Sequence, residues 1–161
     1  MELRVARREQ GFTLIELMVV VVIATILVSL AVPSYMNNVR QSRRTEAKTT
    51  LLDVAGREES YFSTNGSQYT PATASLGLNV ANGAAFGSGY YTLTVCSPAG
   101  AACGGLAIPN PPAAPSYQVV ATAIGSQVND TQCLQFGVDS TGQQYATGTG
   151  GAVNTAYCWA N

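Results

Sequence analysis

From Phe12 to Val32 the chain runs for 21 residues with a single charge, Glu16. A helix rising ~1.5 Å per residue makes this stretch long enough for the ~30 Å apolar core of a bilayer. Pro33 follows, and its missing N–H and its ring predict a bend near Ser29 to Val32. The pattern then changes. Over 34–62 the apolar positions Val39, Ala47, Leu51, Val54, Ala55 and Phe62 recur at spacings of three, four, seven and eight. That periodicity predicts an amphipathic helix whose stripe packs on a sheet. Its other faces carry Arg43, Arg44, Glu46, Lys48 and Asp53.

Residues 63–89 are rich in Ser, Thr, Asn, Gly and Ala, include Pro71, and predict a long loop, with Tyr61, Phe62 and Tyr69 pinning its start. Strands follow. Tyr91, Leu93 and Val95 alternate with Thr92, Thr94 and Cys96, the period of a half-buried strand. Tyr117 to Ile124 reads as a second strand and Cys133 to Val138 as a third. The turn sequence Asp139-Ser140-Thr141-Gly142 lets Gln143 to Ala146 pair back as a fourth. Between the first two lies Ser97 to Ser116, with Pro98, Pro109, Pro111, Pro112 and Pro115, expected to be an exposed, non-strand excursion. The expected fold class is α+β: one long N-terminal helix, transmembrane then amphipathic, packed on a 3–4-stranded antiparallel sheet.

Charge and composition narrow the function. The chain has no His, so the commonest general base and metal ligand is absent. No Lys or Arg occurs after Arg57, where the acids are Glu58, Glu59, Asp130 and Asp139. A stretch of this length without cations is a poor surface for phosphates, so no nucleic-acid partner is expected. Glu58 and Glu59 are adjacent and point about 100° apart on a helix, so they do not face each other as a catalytic pair. Asp130 and Asp139 sit in turn-like sequence, and these acids read as surface groups and turn formers. Tyr90, Tyr91 and Trp159 read as sheet packing. The basic cluster of Arg40, Arg43, Arg44 and Lys48 reads first as a solvated face, with anionic lipid headgroups or the acids of another chain as the alternatives. Four Cys suggest two disulfides in an oxidising compartment. They contain no C-x₂₋₄-C knuckle, so no metal and no cofactor is expected. Charge flanking the span leaves its orientation open, and the cysteines place the C-terminal part outside the cytoplasm.

Gly11-Phe12-Thr13-Leu14-Ile15-Glu16, behind Arg4, Arg7 and Arg8 and ahead of a full apolar span, resembles the signature of the type IV pilin family. Ser42-Arg43-Arg44-Thr45-Glu46-Ala47, Tyr61-Phe62 and the run from Cys133-Leu134 through Gly142 to Cys158-Trp159 look most like the PilE-type minor pilins. The resemblance is strong over 8–62 and weaker to the end. It implies a pilin fold with a leader peptide 1–11 cut after Gly11 by a prepilin peptidase. It also implies methylation of the new N-terminus at Phe12, Glu16 as the assembly acid and Pro33 as the helix bend. The final two cysteines of pilins close a C-terminal loop, which implies a Cys133–Cys158 bond; the extra pair, Cys96 and Cys103, is then expected to bond locally.

The expected organisation is a leader 1–11, a transmembrane and assembly helix 12–33 and a head 34–161. The head divides into an amphipathic helix 34–62, an αβ loop 63–89, a sheet 90–146 and a disulfide-closed loop 133–158. The expected function is that of a non-enzymatic structural subunit of a type IV pilus, serving pilus biogenesis, twitching motility and adhesion. Its partners would be other pilin subunits, the prepilin peptidase and the inner-membrane assembly machinery, with the lipid bilayer before assembly. It would sit in the inner membrane with its head outside, then in the extracellular pilus. The alternatives are a type II secretion pseudopilin and a membrane-anchored monomeric adhesin.

Overall fold

The computed structural model describes residues 11–100 and 102–160. The expected leader therefore lies outside the described residues, apart from Gly11. The chain divides into two compact units, one ending at Asn38 and one running from Val39 to the C-terminus.

The first unit is helical. Helix α1 spans Leu14–Thr64 and has Pro33 inside it. Thr13 caps its start: the amide of Glu16 donates to Thr13 Oγ1 at 3.3 Å, satisfying one of the donors left open at a helix N-terminus. Every described residue up to Asn38 is exposed. The two hydroxyls further along the apolar run, beyond Thr13, bond to their own helix, Thr25 Oγ1 to the carbonyl of Val21 and Ser29 Oγ to that of Ile26, each at 2.7 Å. Neither therefore needs water or a partner chain, the condition for polar groups in hydrocarbon.

In the second unit α1 buries Arg44, Ala47, Leu51, Val54, Ala55 and Glu58. The stripe packs on one face of a five-stranded antiparallel sheet. Its strands are β1 (Ala85–Phe86), β2 (Tyr91–Cys96), β5 (Gln118–Ala123), β6 (Gln135–Asp139) and β7 (Gln144–Thr147), in the order β1-β2-β5-β6-β7. Registers Leu93↔Ala121, Ala121↔Phe136 and Phe136↔Ala146 line these side chains up across one face. Tyr91, Leu93, Val95, Val119, Ala121, Phe136 and Val138 are buried there with the helix stripe. Helix α2 (Thr155–Ala160) closes the far end, with the Trp159 ring edge-on to Phe136.

Two loop expectations need correction. The 63–89 stretch contributes β1, a two-residue edge strand pairing Phe86 with Tyr91 and Ala85 with Thr92. The 97–116 excursion is neither wholly exposed nor strand-free. It holds a small hairpin, β3 (Ala102–Cys103) and β4 (Leu106–Ala107), turning on Gly104 and Gly105, both at positive φ. The hairpin lies on the sheet face opposite the helix, where Cys103, Leu106 and Val120 form a second small core. Leu106 sits so close over Gly137 that a side chain there would collide with it.

Parts of the outer sides of β2 and β7 are occupied. Along β2 beyond β1, the Asn82 amide accepts from Val95 N at 2.9 Å and donates to Val95 O at 2.8 Å. Along β7, Ala146 N donates to Thr155 Oγ1 and Ala146 O accepts from Asn154 N, both at 3.0 Å.

Candidate assembly site

Phe12 stands exposed just before α1, whose exposed length begins with Leu14, Ile15, Leu17 and Met18 and has Glu16 as its one acid. Thr13 and Glu16 stand three residues apart in a Thr-x-x-Glu capping sequence, so Glu16 lies in the first helical turn. A carboxylate there faces the positive end of the helix dipole, which lowers its cost. Thr13 is the residue that sequence reasoning passed over, although Thr-Leu-Ile-Glu carries the capping signature.

Further along, the helix is fixed to its head by charge as well as by apolar packing. Arg44 donates twice to Asp130, Nε to Oδ2 and Nη2 to Oδ1, both at 2.7 Å and both buried. Bonding to Asp130 raises the Arg44 pKa against the opposing pull of burial. Gln127 Nε2 completes the network, donating to Tyr91 Oη at 3.1 Å and to Asp130 Oδ2 at 3.0 Å. Arg43 lies over the Tyr90 ring, 3.3 Å from its centroid, and donates to Ser126 Oγ at 3.1 Å. Glu46 accepts from the amide and hydroxyl of Ser88, and its carboxylate fills the space beside Gly87 that a side chain would need. Lys48 Nζ reaches the carbonyls of Cys158 and Trp159, both at 3.4 Å. Residues 43–48 thus grip three segments far apart in sequence, 88–90, 126–130 and 158–159.

This corrects the reading of Arg43, Arg44 and Lys48 as a solvated face. It also corrects the reading of the acids as surface groups for three of the four, Glu59 being exposed. Asp130, Asp139 and Glu58 are buried. Asp139 does form its turn, accepting from Thr141 N at 2.8 Å and Gln143 N at 3.1 Å, while its other oxygen accepts from Tyr145 Oη at 2.7 Å. Tyr90 is the platform for Arg43, whereas Tyr91 packs on Phe86 and Phe136.

The four cysteines join as Cys96–Cys103 and Cys133–Cys158. The first ties β2 to the hairpin, and the second ties the entry of β6 to α2. Where hairpin and tail meet there is a cleft of about 290 Å³, lined by uncharged residues including Gln135, Ile108, Thr147 and Val153. It offers no nucleophile–base pair. Among the described residues no group of three or more His, Cys, Asp or Glu could hold a metal.

A long apolar helix with one acid in its first turn, continuing into a helix clamped on a disulfide-bonded antiparallel sheet, defines the class of pilin-like proteins. A family model described as "Type IV minor pilin ComP, DNA uptake sequence receptor" matches residues 33–137, and one described as "Prokaryotic N-terminal methylation motif" matches residues 6–32. The chain belongs to the type IV minor pilin family of the first model. It is 44% identical over 64 residues to the type IV major pilin protein PilA of Myxococcus xanthus, covering 38% of this chain and 29% of that protein. It is 33% identical over 97 residues to the type IV major fimbrial protein FimA of Dichelobacter nodosus, covering 53% and 62%. With the type II secretion system core protein G of Dickeya chrysanthemi it shares 37% over 74 residues, covering 46% and 48%. The matched stretch thus spans less than two thirds of each of these relatives. A type IV pilin structure from Shewanella oneidensis aligns with 65% of this chain and 89% of its own at 21% identity and a TM-score of 0.44.

Proposed function

We propose that the protein is a structural, non-enzymatic subunit of a type IV pilus, a minor pilin that assembles through its N-terminal helix. The observation that carries this reading is the contrast between a sealed head and an apolar helix exposed on every side as far as Asn38. Such a helix needs lipid first and neighbouring helices afterwards. In this reading the prepilin peptidase cuts after Gly11 and the Phe12 amine is methylated. Pro33 bends the helix, and the span holds the head outside the inner membrane until the assembly machinery extracts it. The Phe12 amine, with a reference pKa of about 7.7–8.0, stays basic when methylated. Paired with Glu16 of a neighbouring subunit, it would neutralise the acid and fix the axial register of the helices.

The family description names a DNA uptake sequence receptor. In this chain Arg43, Arg44, Lys48 and Arg57 are each engaged within the head, and no cation follows Arg57. With Arg40 as the one further cation of 34–161, that distribution favours a filament role over phosphate binding. The identity to type II secretion core protein G supports a pseudopilin as second reading. One experiment tests both. Wild type and Glu16→Leu are expressed with partner pilins, and sheared surface filaments are compared with the membrane pool. Wild type is expected in the filaments. Glu16→Leu is expected to be cut, inserted and disulfide-bonded yet nearly absent from them. Equal incorporation would overturn the assembly role of Glu16, and absence of wild type from surface filaments would favour the pseudopilin.

A further inference from the structure

Glu58 is fully buried near the end of α1 and has no part in the assembly role proposed above for Glu16. Its Oε2 accepts from the amide of Thr70 at 3.1 Å, while its Oε1 is buried with no hydrogen-bond partner. Among the described residues no cation pairs with it. Arg57, its neighbour in sequence, turns to Asp53 and to the carbonyls of Leu76 and Gly77. The titratable groups that act on it are Glu59 from its own helix, Tyr69 from the loop and Tyr117 from the approach to β5. All three are neutral or negative. Tyr69 forms the lid: its hydroxyl donates to Glu59 Oε1 at 3.1 Å, and its ring stacks on Phe62 and lies edge-on to Tyr117. No disulfide anchors the connection 65–84. It rests on the helix through Arg57, Glu58 and Glu59.

We propose that Glu58 is a proton-operated latch: protonated, it stays sealed beneath Tyr69 and Thr70 and holds the 65–84 connection on the helix; ionised, it draws in water and releases that connection. The physical reason is that a buried carboxylate with one donor and no cation is costly, whereas the neutral acid is tolerated. Burial, with a smaller contribution from Glu59, raises its pKa from 4.5 to about 7, although the Thr70 amide pulls the other way. A raised acid pKa favours the closed state below the open-state value, and that contribution is lost as pH climbs towards 7. Opening therefore increases with pH across this window and levels off above it.

The test is hydrogen–deuterium exchange of the full chain in detergent micelles from pH 4.5 to 8.5, scaled for the intrinsic exchange rate. It is read on peptides covering 66–77. Opening in wild type should rise roughly 40-fold between pH 5 and pH 7 and then level. In Glu58→Gln it should be flat, while Glu59→Gln should keep the rise. A flat wild type, or a rise that persists in Glu58→Gln, would overturn the latch. If Glu58→Gln also loses protection in 118–139, carboxyl-carbon NMR titration of wild type decides instead. One glutamate midpoint near 7 supports the latch, and all glutamates near 4.5 overturn it.

Discussion

The two lengths of α1 share a backbone geometry and differ in what surrounds them. Up to Asn38 every described side chain is exposed, and the apolar ones go all the way round. From Val39 onwards the buried residues keep to one stripe, and charged groups occupy that stripe as well, at Arg44 and Glu58. The first length has no packing partner among the described residues, so its stability is a property of lipid or of neighbouring helices. The second is defined by its head. Side-chain distribution decides which part of one helix belongs to a membrane or assembly and which belongs to a fold.

The comparison breaks most sharply at Arg44. Arg44→Ala leaves Asp130 buried without its cation and is expected to cost roughly 3–5 kcal/mol. Chemical denaturation followed by Trp159 fluorescence should register this loss, while the helicity of the first length in micelles stays unchanged. Next comes the tail to which Lys48 reaches. Replacing both Cys133 and Cys158 with Ser opens a loop of sequence separation 25, worth about 3.5 kcal/mol on the loop-entropy model. The same denaturation series should show it, with reduction of wild type reproducing a similar or larger shift. Finest of all is the pair Leu51 and Leu52, where exposure passes from 0% to 49% in one residue. Leu51→Ala should cost roughly 2–5 kcal/mol and Leu52→Ala no more than about 0.5. Equal costs would mean that the helix sits on the sheet by another face.

Much of the fold was legible because its long elements carry clear periods. The stripe from Ala47 to Ala55 and the alternation of Tyr91, Leu93 and Val95 point to the right faces. What escaped was short or polar. Strand β1 has two residues, too few for any period. The 102–107 hairpin lies in proline-rich sequence, yet Gly104-Gly105 between Cys103 and Leu106 is a hairpin signal in its own right. The clamp was hidden because Arg44, Glu58 and Asp130 look soluble one at a time. The available clue was register: Arg44 precedes Ala47 by three residues and Glu58 follows Val54 by four, on the very face that the apolar stripe marks.

The occupied edges of the sheet bear on how such a subunit survives at high density. Molecules crowded side by side in a bilayer would be at risk of joining strand to strand, because an open edge is a template for any similar chain. The Asn82 amide stands in for a neighbouring strand along β2, and Asn154 and Thr155 do so along β7. Growth by sheet extension is thereby hindered at Val95 and at Ala146. Replacing Asn82 would remove an insulator more than a contact, and the cost would appear as irregular aggregates before it appeared as lost stability. Order in the polymer then depends as much on where the subunit refuses to stick as on where it adheres.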